Sequence, residues 1–555
     1  MNTRALYWLK RDFRLTDNPA LTAALAAHEE VVPFFVLEPS ALAAPETSEF
    51  HVHAQTDAFN GLYSALREQL GEKSAPLGFA HREVVELLAD LYAAEPFAHL
   101  VSHRETGGNR TYDRDKAVAK WCAEHDVTWT EHQQTGVFRG PLDRDKRHKD
   151  WEKFYKADIL PVPVAEQLTK LSFPAAYAQL LALPTTEAET FRPTLDTLVD
   201  VSGIEPKATS TWRHDADLYG TTANGPLRPE HFSFTLSKLQ RAHVQPVNEA
   251  AAGVTLKSFL NERAINYSRG MSSPNTAFYH CSRLSVHFAW GTMSGRQAYR
   301  AVHRRIEELK ESTDKKAGTW RRNLRSFASR LHWRDHFTQR LETEVEMEHR
   351  PLNPNFWELK LENDPEKLAA WRTGTTGYPM VDACIRCMAV TGYVNFRMRA
   401  MLTSTAAHML HLDFRSIDKP MAQLYTDYEP GIHLAQLQMQ AGMVGINTLR
   451  TYSPEKQITD QDPECAFIHH WIPELRPFDS QEVIKRDLTA GLGDYPAVIV
   501  DRTERVKAYR KLIGDLKFRP GGREITDKVF AKHGSRRGPR KRKAKKKPAS
   551  LKQAS

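Results

Sequence analysis

The sequence predicts two differently built halves, an α/β N-terminal domain with a doubly wound parallel sheet and an all-α C-terminal domain. Three observations predict it. Over the first 135 residues, short apolar runs alternate with amphipathic stretches. From about 236 to 475, hydrophobicity repeats with the 3.6-residue period of a helix. Between them lies a Pro- and Thr-rich stretch that follows neither pattern.

The apolar runs ALYWL (5–9), VVPFFVL (31–37), FAHLVSH (97–103) and VTWTEH (127–132) are read as strands. The stretches between them include NPALTAALAAHE (18–29) and DRDKAVAKWCAEHD (113–126), read as helices covering the sheet. No GxGxxG follows the first strand, which argues against a nicotinamide-dinucleotide site there. Residues 136–235, with FPAAYAQLLALPTTEAETFRP and YGTTANGPLRPEHF, read as an inter-domain connection carrying short helices. Residues 236–515 read as one helical domain, from TLSKLQRAHV, VTLKSFLNERAINY, GRQAYRAVHRRIEEL and WRRNLRSFASRLHWRDHFTQRLE. Residues 516–555 form a C-terminal extension, and there are no internal repeats.

With 41% hydrophobic and 26% charged residues, the 555-residue chain has the composition of a globular protein. No apolar run reaches the ~18 residues of a membrane span, and no secretion signal precedes the first strand, so an intracellular protein without a membrane partner is expected. The five cysteines fit a reducing compartment. Cys384 and Cys387 form a CxxC inside a helical pattern; a metal or iron–sulfur site would have to recruit Cys281 and Cys465, so buried thiols are expected instead. Residues 532–555 hold eleven Lys or Arg and no acid; subtracting them from the formal +9 leaves −2 for the body. That tail reads as disordered and suited to polyanions, either a nucleic-acid arm or a solubilising terminus.

Five stretches carry a specific likeness. LYWLKRDFRLTDNPAL (6–21), EHQQTGVF (131–138), FASRLHWRDHF (327–337), TGYPMVDACIRCMAVTGYVNFRMRAML (376–402) and YSPEKQITDQDPECAFIHHWIPELR (452–476) resemble, in that order, the photolyase/cryptochrome flavoproteins. The resemblance reaches to about residue 515 and points to a divergent prokaryotic branch. It implies FAD bent inside the helical domain. Tyr267 and the CSRLS segment (Ser282, Arg283, Leu284, Ser285) would receive the diphosphate at a helix start. Arg334, Arg399, Asp427 and Glu429 would surround the flavin ring, with His433 nearest N5. On this reading DYEPGIHLAQLQMQAGMVGIN (427–447) turns its acids and His433 to the ring and continues as wall and substrate floor.

The resemblance further implies a light-driven split of cyclobutane pyrimidine dimers in UV-damaged DNA by a monomer in the bacterial cytoplasm, at the nucleoid. The runner-up is a blue-light photoreceptor that binds FAD without efficient repair. The expected reaction-site residues are Trp333, against which the dimer packs, Arg330, Met439 and His433. Arg330 stands where the family has a dimer-contacting glutamate, Met439 where it has a second aromatic wall, and Phe396 where it has an asparagine. Leu437, Phe414 and Leu361 stand where it has an electron-carrying tryptophan chain, so a replacement path through Trp357, Tyr393, Tyr425 or Tyr428 is expected. Asn395 lies near the position of the double-histidine motif of (6-4) enzymes, which disfavours that lesion. The family's α/β domain often holds a folate or deazaflavin antenna. Glu105 is the one counterpart of a folate-gripping glutamate, and the sequence does not commit to a second chromophore.

Overall fold

The computed structural model describes residues 4–72, 75–140, 143, 146–183 and 236–534. Five strands form one parallel sheet: β1 (Arg4–Leu9), β2 (Glu30–Val36), β3 (Gly78–Ala80), β4 (His99–His103) and β5 (Thr128–His132), in the order β3-β2-β1-β4-β5. Four of these coincide with the apolar runs. The fifth, β3, is three residues of GFA, too short to register as a run. Leu6 lies opposite Val32 on one side and Leu100 on the other, which places β1, buried along its whole length, at the centre.

Alternation along β1 splits its side chains between two cores. Leu6 and Trp8 pack with Val32, Phe34, Leu88 and Trp121. Ala5, Tyr7 and Leu9 face the other way and pack with Phe35, Phe59 and, from the helical half, Val286, Ala289 and Trp290. The second face of the sheet is thus closed partly by the C-terminal domain.

The turn after β1 makes the join. Arg14 donates to the Gly291 carbonyl at 2.8 Å, Glu249 accepts from the backbone of Leu15 and Thr16, and Asp17 pairs with Arg296 at 2.7 Å. Gly291 has φ +69°, and a Cβ there would sit 1.8 Å from the Arg11 carbonyl oxygen, so the seam requires glycine.

The helical half is built around helix Pro379–Thr391, all of whose residues are buried, the CxxC thiols among them. The helical-period stretch 254–267 is not one continuous helix. Helix Glu249–Ser258 passes into a widened turn at Phe259–Arg263 and a tight one at Ala264–Asn266, bringing Phe259 against Tyr267 and Phe327. Of the connection read over 136–235, the described part includes helix Arg147–Lys156, whose Trp151 and Tyr155 both donate to Asp335. Residues 184–235 lie outside the described residues, as does the basic tail from 535 on. Helix Arg502–Lys517 runs across the expected boundary at 515/516, and helix Gly522–His533 packs back on the body, so the extension is folded up to that helix. No helix among the described residues is long and apolar enough to cross a membrane.

Candidate flavin and substrate site

The helical half encloses a cavity of about 670 Å³, within the range of small-molecule and cofactor sites. Two helices supply facing walls. On Ala317–Thr343 the lining residues Phe327, Arg330, Leu331, Arg334 and Phe337 recur at three- and four-residue steps, with Trp333 at the mouth. On Pro430–Gln440 the lining stripe is Ile432, His433, Gln436, Leu437, Met439 and Gln440. Gly431 lets these helices meet, since a Cβ there would be 2.6 Å from the Thr338 Cα.

Two ion pairs lie in the wall. Arg399 grips Asp427 bidentately at 2.9 and 3.2 Å, donates Nε–H to the Val394 carbonyl and lies 4.1 Å over the Tyr425 ring. Burial alone would raise the Asp427 pKa. The Arg399 guanidinium and the Ser285 hydroxyl overcome that and hold it below the usual carboxylate range. Arg334 pairs instead with Asp335 at 3.0 Å and with Glu429 at 3.1 Å. Burial lifts the Glu429 carboxyl above its usual range despite Arg334 and Arg11.

The structure brings Tyr267, Ser282, Ser285, Arg330, Trp333, Arg334, Arg399, Asp427, Glu429, His433 and Met439 to this one cavity. It does not bring Arg283 or Leu284. Leu284 is wholly buried in a core with Tyr155, Phe259 and Leu324, and Arg283, at φ +61°, turns its guanidinium onto Tyr393 at 3.6 Å. The expected helix start is present, since helix Ser285–Ala289 opens at the end of the CSRLS segment, but with five residues its macrodipole is small. Anion binding there would fall to the Ser282, Ser285 and Tyr267 hydroxyls, the last bonded by Arg330.

His433 lines the cavity, but its Nε2 is held by Asp418, 3.0 Å from both Oδ1 and the backbone carbonyl. Sequence reasoning missed Asp418, which lies fifteen residues upstream on another helix. It also missed three further lining residues, the buried Arg340, the half-buried His336 and the exposed Arg450. Of the aromatics proposed as electron carriers, Tyr393, Tyr425 and Tyr428 line the cavity. Trp357 does not; it is half exposed beside Arg350. Tyr425 Oη is buried without a partner among the described residues, an open polar group for a ligand.

The residues present fit FAD: an enclosed, mainly apolar slot with compensated charges at one edge and hydroxyls at another. An antenna fits less well. Glu105 lines a second cavity of about 100 Å³ at the seam and is taken up by Arg114 at 2.7 Å and Arg11 at 3.2 Å. That space is too small for a folate or deazaflavin.

Known proteins align with this geometry. The family described as DNA photolyase matches residues 5–156, and the FAD binding domain of DNA photolyase matches residues 327–514. The chain is 26% identical to the deoxyribodipyrimidine photo-lyase of Escherichia coli, over 90% of this chain and 96% of that protein. It is 23% identical to the cryptochrome DASH of Natronomonas pharaonis, over 91% and 99%. The fold matches the crystal structure of an archaeal photolyase from Sulfolobus tokodaii with two FAD molecules, at TM-score 0.67 and 20% identity, over 92% of this chain and all of that one. The helical half is an FAD-binding domain, and the chain belongs to the photolyase/cryptochrome family.

Proposed function

We propose that the protein is a light-dependent DNA lyase that splits cyclobutane pyrimidine dimers drawn from UV-damaged DNA into the larger cavity. The observation that carries this is the mouth. Trp333 and Phe396, 40% and 53% exposed, stand among the lining residues with Arg330, His336, Arg340 and Arg450. Exposed rings beside the slot offer stacking faces to bases, and the exposed guanidinium groups of Arg330 and Arg450 can meet phosphates. A lesion inside a duplex cannot reach an enclosed ring, so the dinucleotide must flip out, which its weakened stacking makes cheap.

FAD, when bound, supplies the light-excited electron that opens the cyclobutane ring. The chain's own residues do the rest. Asp427 and Glu429, fixed by Arg399 and Arg334, place charge along one edge of the slot, while Tyr267, Ser282 and Ser285 offer hydroxyls to the diphosphate. Trp333 packs against the dimer, Met439 takes the opposite apolar wall, and Arg330 reaches the lesion from its helix. Residues 1–135 serve as the scaffold that closes the seam, 236–515 as the reacting domain, and the protein acts as a monomer.

The test is to photoreduce the purified protein, add a dimer-containing oligonucleotide and follow thymine absorbance under blue light. Recovery is expected. FAD-replete protein that leaves the absorbance unchanged would instead favour a blue-light photoreceptor, the reading to which Arg330 and the non-aromatic Met439 lend support.

A further inference from the structure

Four amide side chains, Gln436, Gln438, Gln440 and Asn447, crowd the stretch that ends in the cavity wall. Gln438 is wholly buried and fully used: its Nε2 donates to the Met347 and Arg350 carbonyls, and its Oε1 accepts from the Leu352 backbone. Asn447 is exposed beyond the helix end. Gln436 and Gln440 remain, and both line the flavin cavity. They stand one turn apart on helix Pro430–Gln440, where Gln440 Nε2 donates to Gln436 Oε1 at 3.1 Å. Among the described residues no other hydrogen bond holds either side-chain amide. The pair therefore keeps Gln436 Nε2 as a donor and Gln440 Oε1 as an acceptor. Turning both amides over exchanges these atoms and still leaves one donor beside one acceptor.

The rest of the lining shows what such a pair can recognise. Each thymine of a dimer presents an imide edge, an N3–H between two carbonyl oxygens. Arg330 and Arg450 can serve the carbonyls but carry no acceptor for the N–H. Trp333, Phe396 and Leu437 have none either, and the Met439 thioether is a weak one. Asp427 and Glu429 already accept from Arg399 and Arg334, and the Thr403 hydroxyl is turned to the Arg399 carbonyl. Those two carboxylates precede the helix. Gln436 and Gln440 lie about 10 and 16 Å farther along its axis than Glu429. The pair thus stands away from the charged edge and beside Met439, the wall that faces the dimer. An imide N–H taken out of water there needs an acceptor.

We propose that Gln436 and Gln440 form a two-point reader of the pyrimidine imide, one amide accepting N3–H and the other donating to an adjacent carbonyl of one base of the dimer. Their mutual bond orders both amides before the lesion arrives, so little freedom is lost on contact. The inference rests on the lyase reading and gives it a specificity determinant. The flavin ring carries an imide too, so the experiment must separate the two ligands.

Fluorescence anisotropy in the dark measures binding of the FAD-loaded full-length protein to two oligonucleotides. One carries a thymine dimer, the other the same dimer methylated at both N3 atoms. Wild type should hold the unmethylated dimer at least about fivefold tighter, the low end for a bidentate amide–base contact. Gln436→Leu and Gln440→Leu should each bind the two oligonucleotides alike, with the flavin absorbance of wild type. The wild-type comparison needs no variant and decides the matter if a variant does not fold. Equal binding of both dimers by wild type, or a preference that survives in both variants, overturns the proposal and leaves the lyase reading standing. So does a flavin spectrum that shifts in the variants while the dimer preference stays, which places the amides on the flavin imide. A preference for the unmethylated dimer without recovery of thymine absorbance under blue light overturns the lyase reading alone.

Discussion

Arg399 and Asp427 sit side by side at the charged edge of the cavity, and each is tolerable there only because of the other. Asp427→Asn removes the anion and leaves the guanidinium uncompensated, a loss worth about 3 kcal/mol for a buried pair. Urea unfolding should show a free energy of unfolding lower by that amount, and the protein should purify with little FAD. Trp333 makes the opposite case, a ring whose exposure makes it useful. Trp333→Ala should weaken binding of a dimer-containing oligonucleotide by about 1–3 kcal/mol, read by fluorescence anisotropy, with FAD content unchanged. Glu105 gives a pH signature. Burial works against its charge, but Arg114, Arg11 and Lys10 prevail and hold its pKa at about 2, below the usual carboxyl value of 4.5. A depressed carboxyl pKa stabilises the fold above the unfolded-state value and loses that contribution as pH falls toward the folded value. Chemical denaturation midpoints should therefore decline over that acid range, and Glu105→Gln should flatten the decline.

Helix Pro430–Gln440 crosses helix Ala317–Thr343 at Gly431, where only a hydrogen fits beside Thr338. Gly431→Ala should cost about 1–3 kcal/mol by overpacking, seen as a lower thermal midpoint, and should loosen the wall that carries His433. Elements of this kind were legible to different depths in the sequence. Of the two cavity helices, Ala317–Thr343 announced itself through periodicity and Pro430–Gln440 was reached only through the family likeness, while β1, β2, β4 and β5 showed as apolar runs. The strand β3 did not, because three residues leave no pattern. The break after Ser258 was hidden because its residues keep a helical period while the backbone widens to seat Phe259. At the site, motif order located Arg399, Asp427 and His433. Arg283 and Leu284 were misjudged because a motif gives position along the chain and not side-chain direction, and here φ +61° at Arg283 swings both away from the cavity. Asp418 was invisible since it reaches His433 from a separate helix.

On the scale of the whole molecule, the buried turn Arg11–Asn18 ties the sheet to the helical half through Gly291, Arg296 and Glu249, so the two halves share a face of core. The chain then returns to the cavity at its far end. Helix Gly522–His533 docks there, with Lys532 and His533 both on Glu344 and the His533 carbonyl near Arg340. Truncation after Gly534 removes ten of the eleven clustered cations while sparing that helix. It should weaken binding to undamaged DNA and flatten the dependence of log affinity on log salt, measured by titration at several salt concentrations, with flavin absorbance intact. The same placement has a practical side. Because His533 and Gly534 border the opening, a purification handle or fluorescent fusion joined directly to Gly534 in the shortened chain would begin at the doorway itself and crowd what enters. Handles belong at the other terminus.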